Sequence, residues 1–266
     1  MNRGRLPIQQ NSDRRLVAVN HPLPLVGLRA ECQRLVSALR KRQRLLILGP
    51  AGSGKSALIA HSVAALESHQ DIITIPYSAN LHHLLIDLSR ILLRTDHSAF
   101  LKLARLGDDP ERWLSQQTSV HLRGLLWTAL ETEPRVIILD GISSAGFPTY
   151  RFLQRLSFAK GVGLIVSARD PISLGALSRL FWDPRNTMHI PPLNDPEAKQ
   201  LFDMAIRHFD LNHLEIEEFR VKAIGAAQGN PGQLIELCTL AANPVYISGT
   251  HIKFAPLRID ALMKFI

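Results

Sequence analysis

The chain has 266 residues, nearly half of them apolar, enough for one large domain or a domain with a smaller appendage. Lysine and arginine outnumber aspartate and glutamate by 31 to 23, a basic balance that favours acidic partners such as nucleotide or nucleic acid. Cys32 and Cys238 each sit among apolar residues at helical spacing and read as buried free thiols rather than a disulfide or metal site. No run approaches the roughly 18 apolar residues of a membrane span, and Leu16–Val19 is too short for a signal core, so a cytoplasmic protein is expected.

Residues 1–22 are polar, with Arg3, Arg5, Arg14 and Arg15 and the prolines Pro7 and Pro22, the pattern of a loose basic arm. Cys32, Leu35, Val36 and Leu39 then recur at helical spacing, and Lys41-Arg42-Gln43-Arg44 follows where the helix dipole favours positive charge. A first strand is expected at about 44–48 and a helix at about 55–67, with a glycine-rich loop between them. Asp71–Ile75 predicts a second strand stopped by Pro76, and Leu81, Leu84, Leu85, Leu88, Ile91 and Leu92 predict a helix. After the polar break Gly107-Asp108-Asp109-Pro110 comes another helix, with Pro110 at its start and Leu122, Leu125, Leu126, Ala129 and Leu130 on its apolar face.

Buried-strand patterns follow at 135–140 and 163–169, with a helix around 147–159 between them. Residues 172–181 read as helix and 187–190 as a last short strand. These runs lack polar alternation, as expected of parallel strands covered on both faces. The fold class is therefore α/β, a doubly wound parallel sheet of about five strands. Pro191-Pro192 marks a boundary, and three helical stripes follow, through Ala198 to Phe209, Ile216 to Ala227 and Leu234 to Leu240. A small hairpin is expected around Ser248-Gly249-Thr250 and a final helix from Arg258. The organisation expected is an arm at 1–22, an α/β core at 23–192 and a helical lid at 193–266.

The loop between the first strand and helix is Gly49-Pro50-Ala51-Gly52-Ser53-Gly54-Lys55-Ser56, followed by Ala57. It fits G-x-x-x-x-G-K-S/T, the phosphate-binding loop, in the strand–loop–helix context that the pattern needs. Its glycines let successive N–H groups turn inward as an anion nest at a helix N-terminus. Lys55 is placed to reach the β- and γ-phosphates of a nucleoside triphosphate, and the Ser56 hydroxyl to ligate Mg²⁺. Asp140 ends the apolar strand Val136-Ile137-Ile138-Leu139 and supplies the hard oxygen such an ion takes.

With these two motifs the chain resembles the AAA+ and STAND-type P-loop ATPases over about residues 24–241. That resemblance implies a P-loop NTPase sheet with an extra strand between the two motif strands, followed by a helical lid. Pro24-Leu25-Val26-Gly27-Leu28-Arg29-Ala30-Glu31 resembles the opening box, in which Val26 and Gly27 would touch the adenine; Leu28 stands where arginine is usual. Gly163–Pro171 resembles the sensor 1 strand, where Ser167 or Arg169 would feel the γ-phosphate. Gly229-Asn230-Pro231-Gly232 resembles the lid motif whose proline, Pro231, packs on the adenine. Arg179 falls where AAA+ rings carry an arginine finger, with Arg151 and Arg155 as weaker candidates; the other reading of Arg179 is a solvated helix arginine.

The resemblance implies an ATP-binding, Mg²⁺-dependent ATPase working as a switch or assembly factor. It is similar to the ATPases that accompany transposases or replication initiators, with duplex DNA, a protein partner or a second copy as candidate partners. One departure stands out: Gly141, not the water-orienting glutamate, follows Asp140. Hydrolysis that is slow or dependent on a partner, or a non-hydrolysing nucleotide-gated scaffold of the STAND kind, is the alternative this implies. Asp170 is a candidate stand-in for the absent glutamate.

Overall fold

A computed structural model describes residues 23–66, 71–77, 80–104 and 109–263; the expected arm and the Gly107-Asp108 half of the polar break lie outside them. Five parallel strands form the sheet: β1 (Arg44–Leu48), β2 (Ile72–Pro76), β3 (Val136–Ile142), β4 (Gly163–Ala168) and β5 (Thr187–His189). Their order is β2-β3-β4-β1-β5, so β4 lies between β3 and β1. Pro76 is the last paired residue of β2, opposite Asp140. An edge strand tolerates it because its missing N–H faces no partner strand.

Alternation along each strand splits the core into two layers. Leu45, Ile47, Ile138, Ile165 and Met188 face one side, where Leu35 and Leu39 of α1 (Arg29–Arg40) and Leu58 and Ile59 of α2 (Lys55–Ala64) cover them. Leu46, Leu48, Ile73, Ile137, Leu139 and Val166 face the other side. There they meet α3 (Leu81–Arg94), α4 (Ser98–Ala104), α5 (Pro110–Ser115), α6 (Ser119–Thr132) and α7 (Phe147–Phe158). Burial on both faces is why these strands read as unbroken apolar runs. A separate apolar cluster is built by α8 (Asp195–His208), α9 (Ile216–Ala227), α10 (Pro231–Ala241) and α11 (Phe254–Met263). The hairpin is present as Ile247–Ser248 against His251–Ile252.

Four boundaries differ from the sequence reading. The single helix expected after Pro110 is two, α5 and α6, because Asp109 caps the first by accepting from Arg112 N and Thr118 caps the second by accepting from His121 N. The short helix α4 has no counterpart in the reading. The last helix starts at Phe254, not Arg258, and Pro256 falls in its first turn, where a missing N–H costs nothing. Residues Ile172–Leu180 are a 3-10 segment broken at Gly175 (φ 52°, ψ −128°), where the apolar spacing had suggested one helix.

At the N-terminal pole of the sheet an ionic network joins these layers. Glu133, at the end of α6, accepts from Ser98 Oγ (2.9 Å) and Ala99 N (3.1 Å), which ties down the start of α4. It also pairs with Arg135, which reaches Asp71 at 3.0 Å. Burial raises the Glu133 pKa, but those donors, His97 and Arg135 outweigh it and bring it down to about 2. A carboxyl depressed in the folded state stabilises the fold above its unfolded pKa and loses that contribution as pH falls towards the folded value. Comparing Glu133→Gln with the wild-type chain by urea denaturation should therefore show the variant less stable at pH 6. The gap should close between about pH 4.5 and 2; a gap independent of pH would refute this role.

Candidate functional site

The glycine-rich loop leaves the C-terminal end of β1 between β4 and β5. Gly49 N donates to Ala168 O (3.3 Å), and Ile190 N to Leu48 O (2.8 Å), so both neighbouring strands fix the loop's origin. Gly52 (φ 76°) and Gly54 (φ 91°) are in the left-handed region, which turns the chain into the first turn of α2. Lys55 Nζ donates to Gly49 O (2.7 Å) and Pro50 O (2.9 Å), which holds the ammonium inside the loop's curve. Burial lowers its pKa from the ordinary lysine value; the Asp140 carboxylate opposes that shift and the Arg169 guanidinium adds to it. Lys55, Asp140 and Arg169 thus share one electrostatic neighbourhood, although they stand on three different elements.

Asp140 lies one strand further from β1, on β3. Ser167, wholly buried on the intervening β4, donates to Asp140 Oδ1 (2.5 Å) and accepts from Gly141 N (2.8 Å). The β3–β4 register shifts between Leu139 and Ile142, and Gly141 sits in this bulge at φ 77°. Glycine is the residue that takes this conformation without strain. Ser167 therefore acts through the Asp140 carboxylate, while Arg169 is exposed at the end of β4. Asp170 is committed elsewhere: its carboxylate accepts from Ser173 N (2.8 Å) and Oγ (3.2 Å) and so starts the 3-10 segment. Arg179 is exposed at the same end of the sheet, its guanidinium 6.0 Å from the Tyr150 ring centre.

A cleft of about 180 Å³ opens beside the loop. Its walls come from three distant segments: Leu23–Val26 with Leu28, Gly52–Ala57, and the helical cluster through Leu201, Pro231, Gly232 and Ile235. It is mostly apolar at the Val26, Pro231 and Ile235 end and polar at Lys55 and Ser56, which suits a flat base joined to a phosphate chain. Gly27 stands between Val26 and Leu28 of this wall. Its backbone (φ 67°) lies against the Glu197 carboxylate, 2.9 Å from where a Cβ would stand. Glu197 closes the capping box of α8 with Asn194. Gly49 and Pro50 present their carbonyls to Lys55, and Ala51 its carbonyl to Asn230.

The helical cluster is bonded straight to the loop. Gly232 N donates to Gly52 O (2.8 Å), and Asn230 Nδ2 to Ala51 O (2.8 Å). Asn230 Oδ1 meanwhile accepts from Gln233 N (3.1 Å) and caps α10. A Cβ on Gly232 would stand 2.6 Å from Gly52 Cα, so only glycine permits this approach. Pro231, the residue expected against the adenine, lines the cleft, and its two neighbours make the bonds to the loop. An asparagine before a proline signals a helix cap, and nothing local signals its second bond.

Among the described residues, no group of three or more His, Cys, Asp or Glu side chains is placed to hold a metal ion, and no helix is long and apolar enough to cross a membrane. Cys32 and Cys238 are free; burial pushes the Cys238 thiol up to about 12.

A family profile described as "AAA domain" matches residues 38–172, just over half of the chain. Among solved structures, a Walker-type ATPase of Pyrococcus abyssi is similar in fold at 13% identity, with a TM-score of 0.59 over 90% of this chain and 72% of that one. A Cdc6p structure from Pyrobaculum aerophilum is similar at 12% identity and a TM-score of 0.59, covering 81% of this chain and 61% of that one. Comparison with curated proteins finds no match in sequence.

The loop–lid bonds carry a measurable consequence. Asn230→Ala removes a cap and a bond to the loop and should cost about 1–2 kcal/mol in urea denaturation. Gly232→Ala should cost more, because its clash is with backbone. A Gly232→Ala chain as stable as the wild type would contradict the packing described.

Proposed function

The chain belongs to the AAA domain family, and on that premise we propose that it binds ATP in the cleft beside Lys55 and hydrolyses it with Mg²⁺, using the cycle to move its helical lid. The observation that carries this reading is the pair of bonds from Gly232 and Asn230 to carbonyls of the phosphate loop, since the helical cluster then rests on the loop whose N–H groups would hold the phosphates. Lys55 would neutralise charge on the β- and γ-phosphates, and its N-terminal place on α2 adds the helix dipole. The donor set of Ser56 and Asp140 suits Mg²⁺, which takes few protein oxygens and leaves the rest to phosphate and water. When bound, the ion supplies electrostatic stabilisation of the charge that develops on the transferred phosphoryl group. Val26 and Pro231 would flank the base. Arg169, exposed and within electrostatic reach of Lys55, would meet the far phosphate.

The second reading, a nucleotide-gated scaffold that does not hydrolyse, rests on Gly141. Its left-handed φ shows that a glutamate is not merely missing there; the backbone is shaped against one. A partner, DNA or a protein, would then supply or orient the missing group. Arg179 is exposed, as an arginine acting on a second copy's phosphates would have to be.

Steady-state turnover separates the readings. Lys55→Ala and Asp140→Asn should each lower ATP turnover about a hundredfold or more, with Asp140→Asn still binding ATP. Gly141→Glu should not raise turnover and should cost about 1–2 kcal/mol of stability. Wild-type chain that binds ATP and never turns it over, with or without DNA, would leave only the scaffold reading. Mixing Arg179→Ala with Lys55→Ala protein should restore part of the turnover if Arg179 acts across a subunit boundary; no recovery makes it a surface arginine.

A further inference from the structure

Helix α7 carries an outward face of aromatic rings and guanidinium groups. Phe147, Arg151, Arg155 and Phe158 recur at spacings of four, four and three, so they share one side of the helix. The opposite side, with Tyr150, Phe152, Leu153 and Leu156, is buried in the core. Phe147 is 54% and Phe158 68% exposed, far more than rings of this size ordinarily are. Each ring has a guanidinium beside it: Arg151 lies 5.7 Å from the Phe147 centre and Arg44 5.0 Å from that of Phe158. Between them Arg155 lies 4.2 Å over Trp127 of α6, with Arg123 5.2 Å from the same ring. Among the described residues, the one ion pair these four arginines make is Arg155 with the exposed Glu131, at 3.5 Å.

We propose that this face of α7 is a contact surface for single-stranded nucleic acid, with Phe147 and Phe158 stacking on unpaired bases and Arg44, Arg151 and Arg155 meeting the phosphates between them. Base stacking on an exposed ring contributes about 1–3 kcal/mol and is indifferent to sequence. The stripe is about 16 Å long, from the 1.5 Å rise of a helix, room for a few extended nucleotides. A duplex hides its base faces and would use the cations but not the rings. An amphipathic helix lying on a membrane offers an apolar face to lipid, and the apolar face of α7 is already buried. A second copy would bring the same positive charge against itself. The inference stands on residues outside the nucleotide cleft and does not depend on ATP turnover.

The test is fluorescence anisotropy of the whole chain, without ATP, against a labelled oligothymidine, a duplex of the same length and phosphatidylserine vesicles. Oligothymidine should bind, and Phe158→Ala and Phe147→Ala should each weaken it about five- to a hundredfold. Arg151→Glu with Arg155→Glu should weaken it and flatten the dependence of log affinity on log salt by at least about 1. Phe158→Leu keeps the apolar volume, guards against a folding defect and should weaken binding as Phe158→Ala does; unchanged melting temperatures check each variant. Oligothymidine affinity unmoved by either phenylalanine change would overturn the proposal. So would tighter duplex binding that loses only through the arginines, or binding to vesicles alone.

Discussion

Two glycines in contact set the geometry on which the cleft depends. Gly52 in the phosphate loop and Gly232 at the start of α10 approach so closely that the amide of one bonds the carbonyl of the other at 2.8 Å. A Cβ on Gly232 would stand 2.6 Å from Gly52 Cα, so a side chain there has no room. The contact turns two segments 180 positions apart into one unit, and Asn230 doubles it with a second bond to the loop. Since α10 is packed into the same apolar cluster as α8 and α9, the loop's position and that of the whole helical cluster are set together. The opening segment Leu23–Leu28 completes the wall, backed by the Glu197 carboxylate at Gly27.

The second constraint comes from strand order. Because β4 lies between β1 and β3, Lys55 and Asp140 stand two strands apart, and the side chain between them is Ser167. Its hydroxyl satisfies both the carboxylate and the amide of the bulge, so one buried group aims Asp140 and holds Gly141 in its left-handed turn. A hydroxyl buried without partners is costly; here both of its capacities are used. Lys55 sees the result as a field in which burial and Arg169 favour loss of its proton and Asp140 opposes it.

How much of this was legible in the sequence follows from the range of each interaction. The sheet, the loop and the three lid stripes were readable because apolar runs, glycine spacing and helical periodicity are local. The place of Asp140 was readable because an apolar strand ended on it. The split of α5 from α6 was missed although Thr118 is a sound cap, because one stripe seemed to continue through it. The bonds from Ser167 to Asp140 and Gly141 depend on strand order, which no local pattern carries. Glu197, whose carboxylate lies against Gly27, is 170 positions away in sequence. The bond from Asn230 to Ala51 is likewise invisible until the chain is folded.

The two surfaces of interest are joined by a short, braced path. Beyond the bulge at Gly141 the chain runs through Ser144 and Ala145 into α7. Tyr77, next to the end of β2, donates to Ser144 O (2.7 Å), and Ala176 N donates to Ala145 O (3.2 Å). Gly175 packs so tightly that a Cβ would stand 2.8 Å from the same Ala145 oxygen. The segment between Asp140 and the first turn of α7 is thus gripped from β2 on one side and from the 3-10 segment on the other. Close packing leaves little room for compliance in such a link. A shift at Asp140 has to be taken up by moving these partners together or by tilting α7. The bulge, which loosens the β3–β4 ladder at that point, is where such a shift would meet the least resistance. The segment from Asp140 to the first turn of α7, which begins the Phe147–Phe158 stripe, is thus braced by bonds from Tyr77 and Ala176.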